Sequence, residues 1–448
     1  MRFDFSPPGP TGTTSFRGCG NQLKAYVRHR SNTTVISSAE RLCQYPPRIP
    51  KLEADKLKMK QDTKIVSAGR HPEANLGIVN PPVYHTSTIL QPSLGEMRRK
   101  GEARAKGETV TMYGRIGHPT SLALEEAMAE VEGGFRSFAF PSGLAAIAAA
   151  LTAYVGTGDH VLVTDSAYRP TRSYCDGLLK RMGVETTYYD PLIGGDIAGL
   201  IRENTKIVYV EAPGSQTFEM QDIPAIAEAA HAAGAVVMMD NTWATPLFFR
   251  PFEKGVDVSI HAGTKYVVGH SDAMLGLVTT TEAAWDPLRA TAQMMGQCVG
   301  PDDVYLGLRG LRTLSVRLER HMKNGLEIAR WLEDRPEVDR VLHPGLPSHP
   351  GHDIWKRDFL GASGLFSVVL REGYDDDGLA RMIDGYELFG LGASWGGYES
   401  LVIAQKPEQY RTAVKWSGPG LLVRYHIGLE DPEDLKADLA RGFERLEG

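Results

Sequence analysis

The sequence predicts an α/β fold, with a mostly parallel sheet covered by helices on both faces and a smaller α+β domain at the C-terminal end. Two observations carry this expectation. Between Ser137 and Thr279, short runs of continuous apolar residues alternate with segments of helical period. Strands apolar on both faces belong to parallel sheets buried on both sides. From Arg289 onward the alternation gives way to longer helices and scattered strands. A chain of 448 residues is also too long for one core and fits two or three domains.

Residues 1–60 stand apart. They are rich in Pro, Ser and Thr and hold eleven Lys/Arg against four Asp/Glu, within a chain whose net charge is −6. They show no sustained period and no apolar core of a secretory signal, so the segment reads as a disordered basic extension. An organellar transit peptide and an upstream start, with Met59 as the true beginning, stay open beside that reading. Residues 61–120 read as an arm, in which Pro81-Pro82 excludes helix from the stretch Gly77–Thr88. A helix is expected from Pro119-Thr120-Ser121 to Val131, closed by Gly133-Gly134.

Within the large domain, 121–300, seven strands are expected: 137–140, 160–164, 185–189, 207–211, 236–240, 256–260 and 275–279. Helices are expected at 143–154, 170–182 and 223–233. The C-terminal domain, 301–448, is expected to hold an amphipathic helix from about Asp303 to Glu333, interrupted near Leu311. Strands at 364–370, near Leu401 and at 421–425 follow, with a last helix from Pro432 to Leu446.

Composition excludes several classes. With 42% hydrophobic and 23% charged residues the chain has an ordinary globular balance, and the negative net charge gives no support to a nucleic-acid role. No apolar run approaches the length of a membrane span; the longest candidate, Leu144–Val155, fits a buried helix. Cys19, Cys43, Cys175 and Cys298 are far apart and make no zinc spacing, which points to a reducing, cytoplasmic setting. His343, His349 and His352 cluster in a Pro/Gly-rich loop without the carboxylate or thiolate partners of a metal site, so no metal is expected.

The residues that carry chemistry lie at strand ends. Lys265 sits between the apolar run around Val258 and Ile260 and the step Val267-Val268, where burial would lower its ammonium pKa and leave a neutral amine able to form a Schiff base. Asp240 ends an apolar strand and needs a cation. Ser142-Gly143-Leu144 opens a helix after a strand, which suits a phosphate, with Thr264 as a further hydroxyl. Tyr168 follows another strand and can stack on a flat ring. Arg424, within Leu421–Tyr425, calls for a carboxylate. Ser394-Trp395-Gly396-Gly397 is a turn that can wall a small-molecule pocket. Taken singly, each has a plainer reading as a cap, a core residue or an internal ion pair. Together they are the equipment of pyridoxal 5′-phosphate (PLP) catalysis on amino acids.

Ten segments in order from about residue 64 to 446, among them YGRIGHPT (113–120), FPSGLAA (140–146), TDSAYRPT (164–171), DNTWATPLF (240–248), DVSIHAGTKYVVGHSDAM (257–274), SWGGYESL (394–401) and RYHIGLED (424–431), resemble the Cys/Met-metabolism PLP enzymes, closest to their bacterial cystathionine β-lyase branch. The resemblance implies fold type I, the aminotransferase-like architecture. It implies Lys265 as the cofactor-bound lysine and proton carrier, with Asp240 on the ring nitrogen and Tyr168 on the ring face. Gly143, Leu144 and Thr264 would hold the phosphate. Ser394, Trp395 and Arg424 would bind the substrate carboxylate. Tyr113 and Arg115 would reach the phosphate of a neighbouring subunit, Tyr113 also meeting substrate, in a homo-oligomer that is usually a dimer of dimers. The implied reaction is cleavage of L-cystathionine to L-homocysteine, pyruvate and ammonia. Methionine or cystathionine γ-lyase, γ-synthase and cysteine desulfhydrase are the sister activities that stay open. His261 departs from the smaller or amide residue expected there.

Overall fold

In the large sheet, alternate residues of each strand feed different apolar layers. A computed structural model describes residues 59–416, 418 and 420–447; the expectations for residues 1–58 lie outside the described residues. The strands are β1 (Arg136–Phe140), β2 (His160–Thr164), β3 (Glu185–Tyr189), β4 (Thr205–Glu211), β5 (Val236–Asp240), β6 (Val258–His261) and β7 (Gly276–Thr280). They form one sheet in the order β1-β7-β6-β5-β4-β2-β3. All pairings are parallel except those of β7, which runs against both β1 and β6.

Val208, Val210, Val237 and Met239 pack on one face against Ile223 and Ile226 of the helix Ile223–Ala232. Ile207, Tyr209, Met238, Val258 and Ile260 pack on the other against Ala146 and Ile147 of the helix Gly143–Thr152. Continuous burial on both sides is why these strands read as uninterrupted apolar runs.

The second sheet comprises β8 (Val338–Leu342), β9 (Leu365–Leu370), β10 (Gly390–Leu391), β11 (Leu401–Gln405) and β12 (Leu422–His426), ordered β10-β11-β12-β9-β8. It is antiparallel apart from the β10–β11 pair. Its apolar layer packs on the helices Leu314–Glu333 and Pro432–Phe443 through Ile328, Leu332, Leu435 and Leu439. The fold is therefore the expected α/β sheet with a smaller C-terminal α+β part.

Several elements were not anticipated. The arm contains a helix, Leu94–Ala105, nearly without apolar residues and capped by Ser93, whose hydroxyl accepts from the Glu96 amide at 3.0 Å. The helix Glu282–Met294 carries Pro287 inside it, which masks it in a propensity reading. β8 exposes Asp339 and Arg340 in mid-strand, and β10 is only two residues long. The long amphipathic segment after Gly300 is two helices, Pro301–Leu311 and Leu314–Glu333.

Candidate active site

The register of the large sheet gathers the site. Asp240 lies beside Glu211 of β4 and Ile260 of β6, so all three strands end at one edge. Ligands of open α/β sheets bind beyond the carboxyl ends of the strands. Asp240 is 8% exposed, and its Oδ1 accepts from the Thr242 amide at 3.0 Å and the Thr242 hydroxyl at 2.5 Å. Oδ2 has no protein donor among the described residues. Burial pushes the carboxyl up from its ordinary value, while Thr242, His261 and Lys265 hold it down. Its neighbour Glu211 is pushed well above the carboxylate range, by burial first and then by the Asp240 charge. Glu211 Oε2 accepts from the Tyr168 amide at 2.8 Å, fixing the start of the segment that carries the ring.

Thr242 also joins Asp240 to the lysine loop, because its hydroxyl accepts from the Ala262 amide at 2.9 Å. The loop is a tight turn held from both ends. The Lys265 amide donates to Ala262 O at 2.9 Å and the Gly269 amide to Lys265 O at 2.7 Å. Lys265 Nζ donates to Ser394 Oγ at 2.7 Å and lies 5.5 Å from the centre of the Trp395 ring. Burial, with Arg424 nearby and Asp240 opposing, lowers its pKa to about 8. A half-buried amine with that pKa is partly unprotonated near neutrality, which suits a nucleophile and a general base.

Trp395 is placed by Gly396. At φ 87° it adopts a left-handed turn, and a Cβ there would come within 2.9 Å of the Lys265 backbone. The helix Gly143–Thr152 begins against the same loop: a Cβ on Gly143 would sit 2.6 Å from that of Ala262. Ser142 caps this helix by accepting from the Ala145 amide at 3.1 Å. Its first-turn amides face the loop, a cradle for an anion. Leu144 is 41% exposed at that helix start. Thr264 is engaged within the chain, donating to Leu275 O at 3.1 Å and accepting from the Leu275 amide at 2.8 Å.

Arg424 is buried on β12, makes no ion pair among the described residues, and donates from Nη2 to Ala393 O at 3.2 Å. Burial lowers its pKa to about 10. Tyr168 is about two-fifths exposed, and burial, Asp240 and Glu211 raise its phenol. Tyr113 and Arg115 stand apart from this cluster. Tyr113 is exposed, and Arg115 donates to Gln293 O at 3.3 Å beside the Tyr113 ring. Among the described residues no group of three or more His, Cys, Asp or Glu is arranged to hold a metal ion. In the loop where they cluster, His343 and His349 are neutralised by burial and accept from the amides of Gly345 and Gly351 at 3.0 Å.

An aldehyde-bearing, phosphorylated pyridine fits these parts. It would meet a desolvated lysine, a carboxylate with one oxygen unused, a phenol to stack on and a row of free amides. The family model described as "Cys/Met metabolism PLP-dependent enzyme" matches residues 62–444. The chain belongs to that family. Its cofactor is PLP. The chain is 46% identical to "Cystathionine beta-lyase MetC" of Escherichia coli, over 86% of this chain and 99% of that protein. It is likewise 46% identical to "Cystathionine beta-lyase" of Salmonella typhimurium, over 86% and 98%. Among solved structures it resembles metB of Corynebacterium glutamicum with a TM-score of 0.79 and 33% identity, covering 87% of this chain and 99% of that one.

Sequence reasoning missed Glu211 as a site residue and Glu132 altogether. Glu132 Oε1 pairs with His261 Nε2 at 2.6 Å and accepts from the Ser259 hydroxyl, all three buried. The partners of Glu132 lie 127 and 129 residues away, beyond the reach of local pattern.

Proposed function

We propose that the chain is a cystathionine β-lyase, cleaving the Cβ–S bond of L-cystathionine and consuming one water to give L-homocysteine, pyruvate and ammonia. The observation that carries the reading is the desolvated Lys265 amine, set between Ser394 and Trp395 and electrostatically coupled to Asp240 and Arg424. The names of relatives at 46% identity support the choice of reaction.

PLP supplies an electron sink for charge left at the substrate's Cα. Asp240, with Oδ2 unused by the described residues, would pair with the protonated ring nitrogen and so keep that sink cationic. The Gly143 and Leu144 amides would hold the phosphate, with Thr264 joining them only by turning its hydroxyl proton away from Leu275 O, and Tyr168 would cover the ring. Arg424 takes the substrate α-carboxylate in a two-pronged hydrogen bond and fixes Cα over Lys265. The Lys265 amine would anchor the cofactor and, once the substrate amine has displaced it, would be free to remove the Cα proton. Trp395 excludes water from the sulfur-bearing side.

We take the working form to be a homo-oligomer, at least a dimer. Leu76 and Leu90 on the arm, and Met294 next to the Gln293 that Arg115 contacts, are each at least 80% exposed. Such apolar exposure fits a subunit contact. We place the enzyme in the cytoplasm, in keeping with the free thiols Cys175 and Cys298; no described helix is long and apolar enough to cross a membrane. The test of function is product identification from L-cystathionine with and without added PLP. Pyruvate with homocysteine is expected; 2-oxobutyrate with cysteine would move the chain to the γ-lyases.

A further inference from the structure

Four arginines converge beside the site, and the fold neutralises only two of them. Arg172 Nη1 and Arg411 Nε bind the wholly buried Asp165 at 2.7 and 3.3 Å, and Arg411 also bonds Glu219. Asp165 further accepts from the amides of Thr412 at 3.0 Å, Ala413 at 3.1 Å and Val414 at 2.9 Å. A carboxylate with this many donors is a strong anchor for the 410–414 segment. Arg172 Nη2 also donates to Tyr410 O at 2.7 Å.

Tyr410 is thereby pinned, and its hydroxyl donates to Gln216 Oε1. The guanidinium of Arg169 lies 5.9 Å from the centre of its ring. Arg169 follows Tyr168 directly and opens the helix Arg169–Tyr174, with its backbone fixed by Pro170. It is exposed and makes no ion pair among the described residues. Arg169, directly after Tyr168, thus rests on an immobilised tyrosine, and it and Arg424 are two cations at the site without an ion pair among the described residues. A substrate with a single carboxylate leaves one of them unused.

We propose that Arg169, steadied on Tyr410, binds the far carboxylate of a substrate that carries two, while Arg424 binds the carboxylate at the reacting carbon. This rests on the β-lyase reading and deepens it: Arg169 is a specificity-determining residue that favours a thioether-bridged dicarboxylate over cysteine and S-alkyl cysteines.

The test compares PLP-loaded wild type, Arg169→Gln and Arg169→Lys on L-cystathionine and on S-ethyl-L-cysteine, with pyruvate release as the readout. Arg169→Gln lowers kcat/KM for cystathionine about 10- to 100-fold, mostly through KM, as loss of a charge-assisted contact does. S-ethyl-L-cysteine turnover and the visible spectrum of the bound cofactor stay as in wild type, and Arg169→Lys recovers part of the cystathionine rate. Equal losses on both substrates would mean that Arg169 acts through Tyr168 instead. An unchanged cystathionine KM would also overturn the proposal. Wild type that releases pyruvate from neither substrate sinks the lyase reading, and this assignment with it.

Discussion

Single residues show how a buried charge is kept at this sheet. His261 replaces a smaller or amide residue expected from the family resemblance, and the structure gives it a partner, Glu132, at 2.6 Å. Burial works to raise Glu132 but is outweighed by the His261 charge and hydrogen bonds, so its carboxyl sits below its ordinary 4.5. Burial likewise works to lower His261 but is outweighed by Glu132 and then Asp240, so its imidazole sits above 6.5. The contribution of Glu132 is full above pH 4.5 and is lost as pH falls through its lowered folded value. That of His261 is full below pH 6.5 and is lost as pH rises through its raised folded value. Thermal melting of Glu132→Gln against wild type is expected to show a loss of about 3–5 kcal/mol, the cost of stranding one member of a buried pair. The loss should be largest between pH 4.5 and 6.5 and should shrink as pH rises through the raised imidazole value. A difference that does not vary with pH would show that the pair is uncharged. Lys265 and Asp240 were legible in the sequence because each sits where an apolar strand stops. Glu132 was not, because its partners lie more than a hundred residues away, and Asp165 was not, because beside Arg172 its donors come from the distant segment 411–414.

At the level of elements, the legible parts are those that the hydrophobic effect dictates locally. β2 and β5 fall within the bounds read from their apolar runs, since both faces of each are covered; the edge strand β3 also matches its expected bounds, although only Tyr189 in it is fully buried. β8 escaped because Asp339 and Arg340 break its run, and the helix Glu282–Met294 because Pro287 sits inside it. The turn Ser394–Gly397 is the element on which the site depends most. Gly396→Ala forces a Cβ to within 2.9 Å of the Lys265 backbone at φ 87°. A strain of about 1–3 kcal/mol is expected. A lower Tm should be accompanied by a raised KM, because Trp395 and Ser394 shift from the lysine. A variant with wild-type KM would show that the turn is only structural.

For the molecule as a whole, the seven-stranded sheet supplies Lys265, Asp240 and Tyr168, the second sheet supplies Arg424, and the turn before β11 supplies Ser394 and Trp395. Tyr113 and Arg115 lie outside that cluster, which accords with a site completed between subunits. Co-expression of Arg115→Ala with Lys265→Ala, each nearly inactive alone, is then expected to restore about a quarter of the wild-type sites by random pairing. No recovery would show that Arg115 serves its own chain or none. The central claim is that Lys265 holds the cofactor, and borohydride reduction of the PLP-loaded enzyme followed by peptide mass mapping tests it most directly. A pyridoxyl mass on the peptide containing Lys265, absent from Lys265→Ala, is the predicted result; the adduct on any other lysine, or on none, would contradict the account.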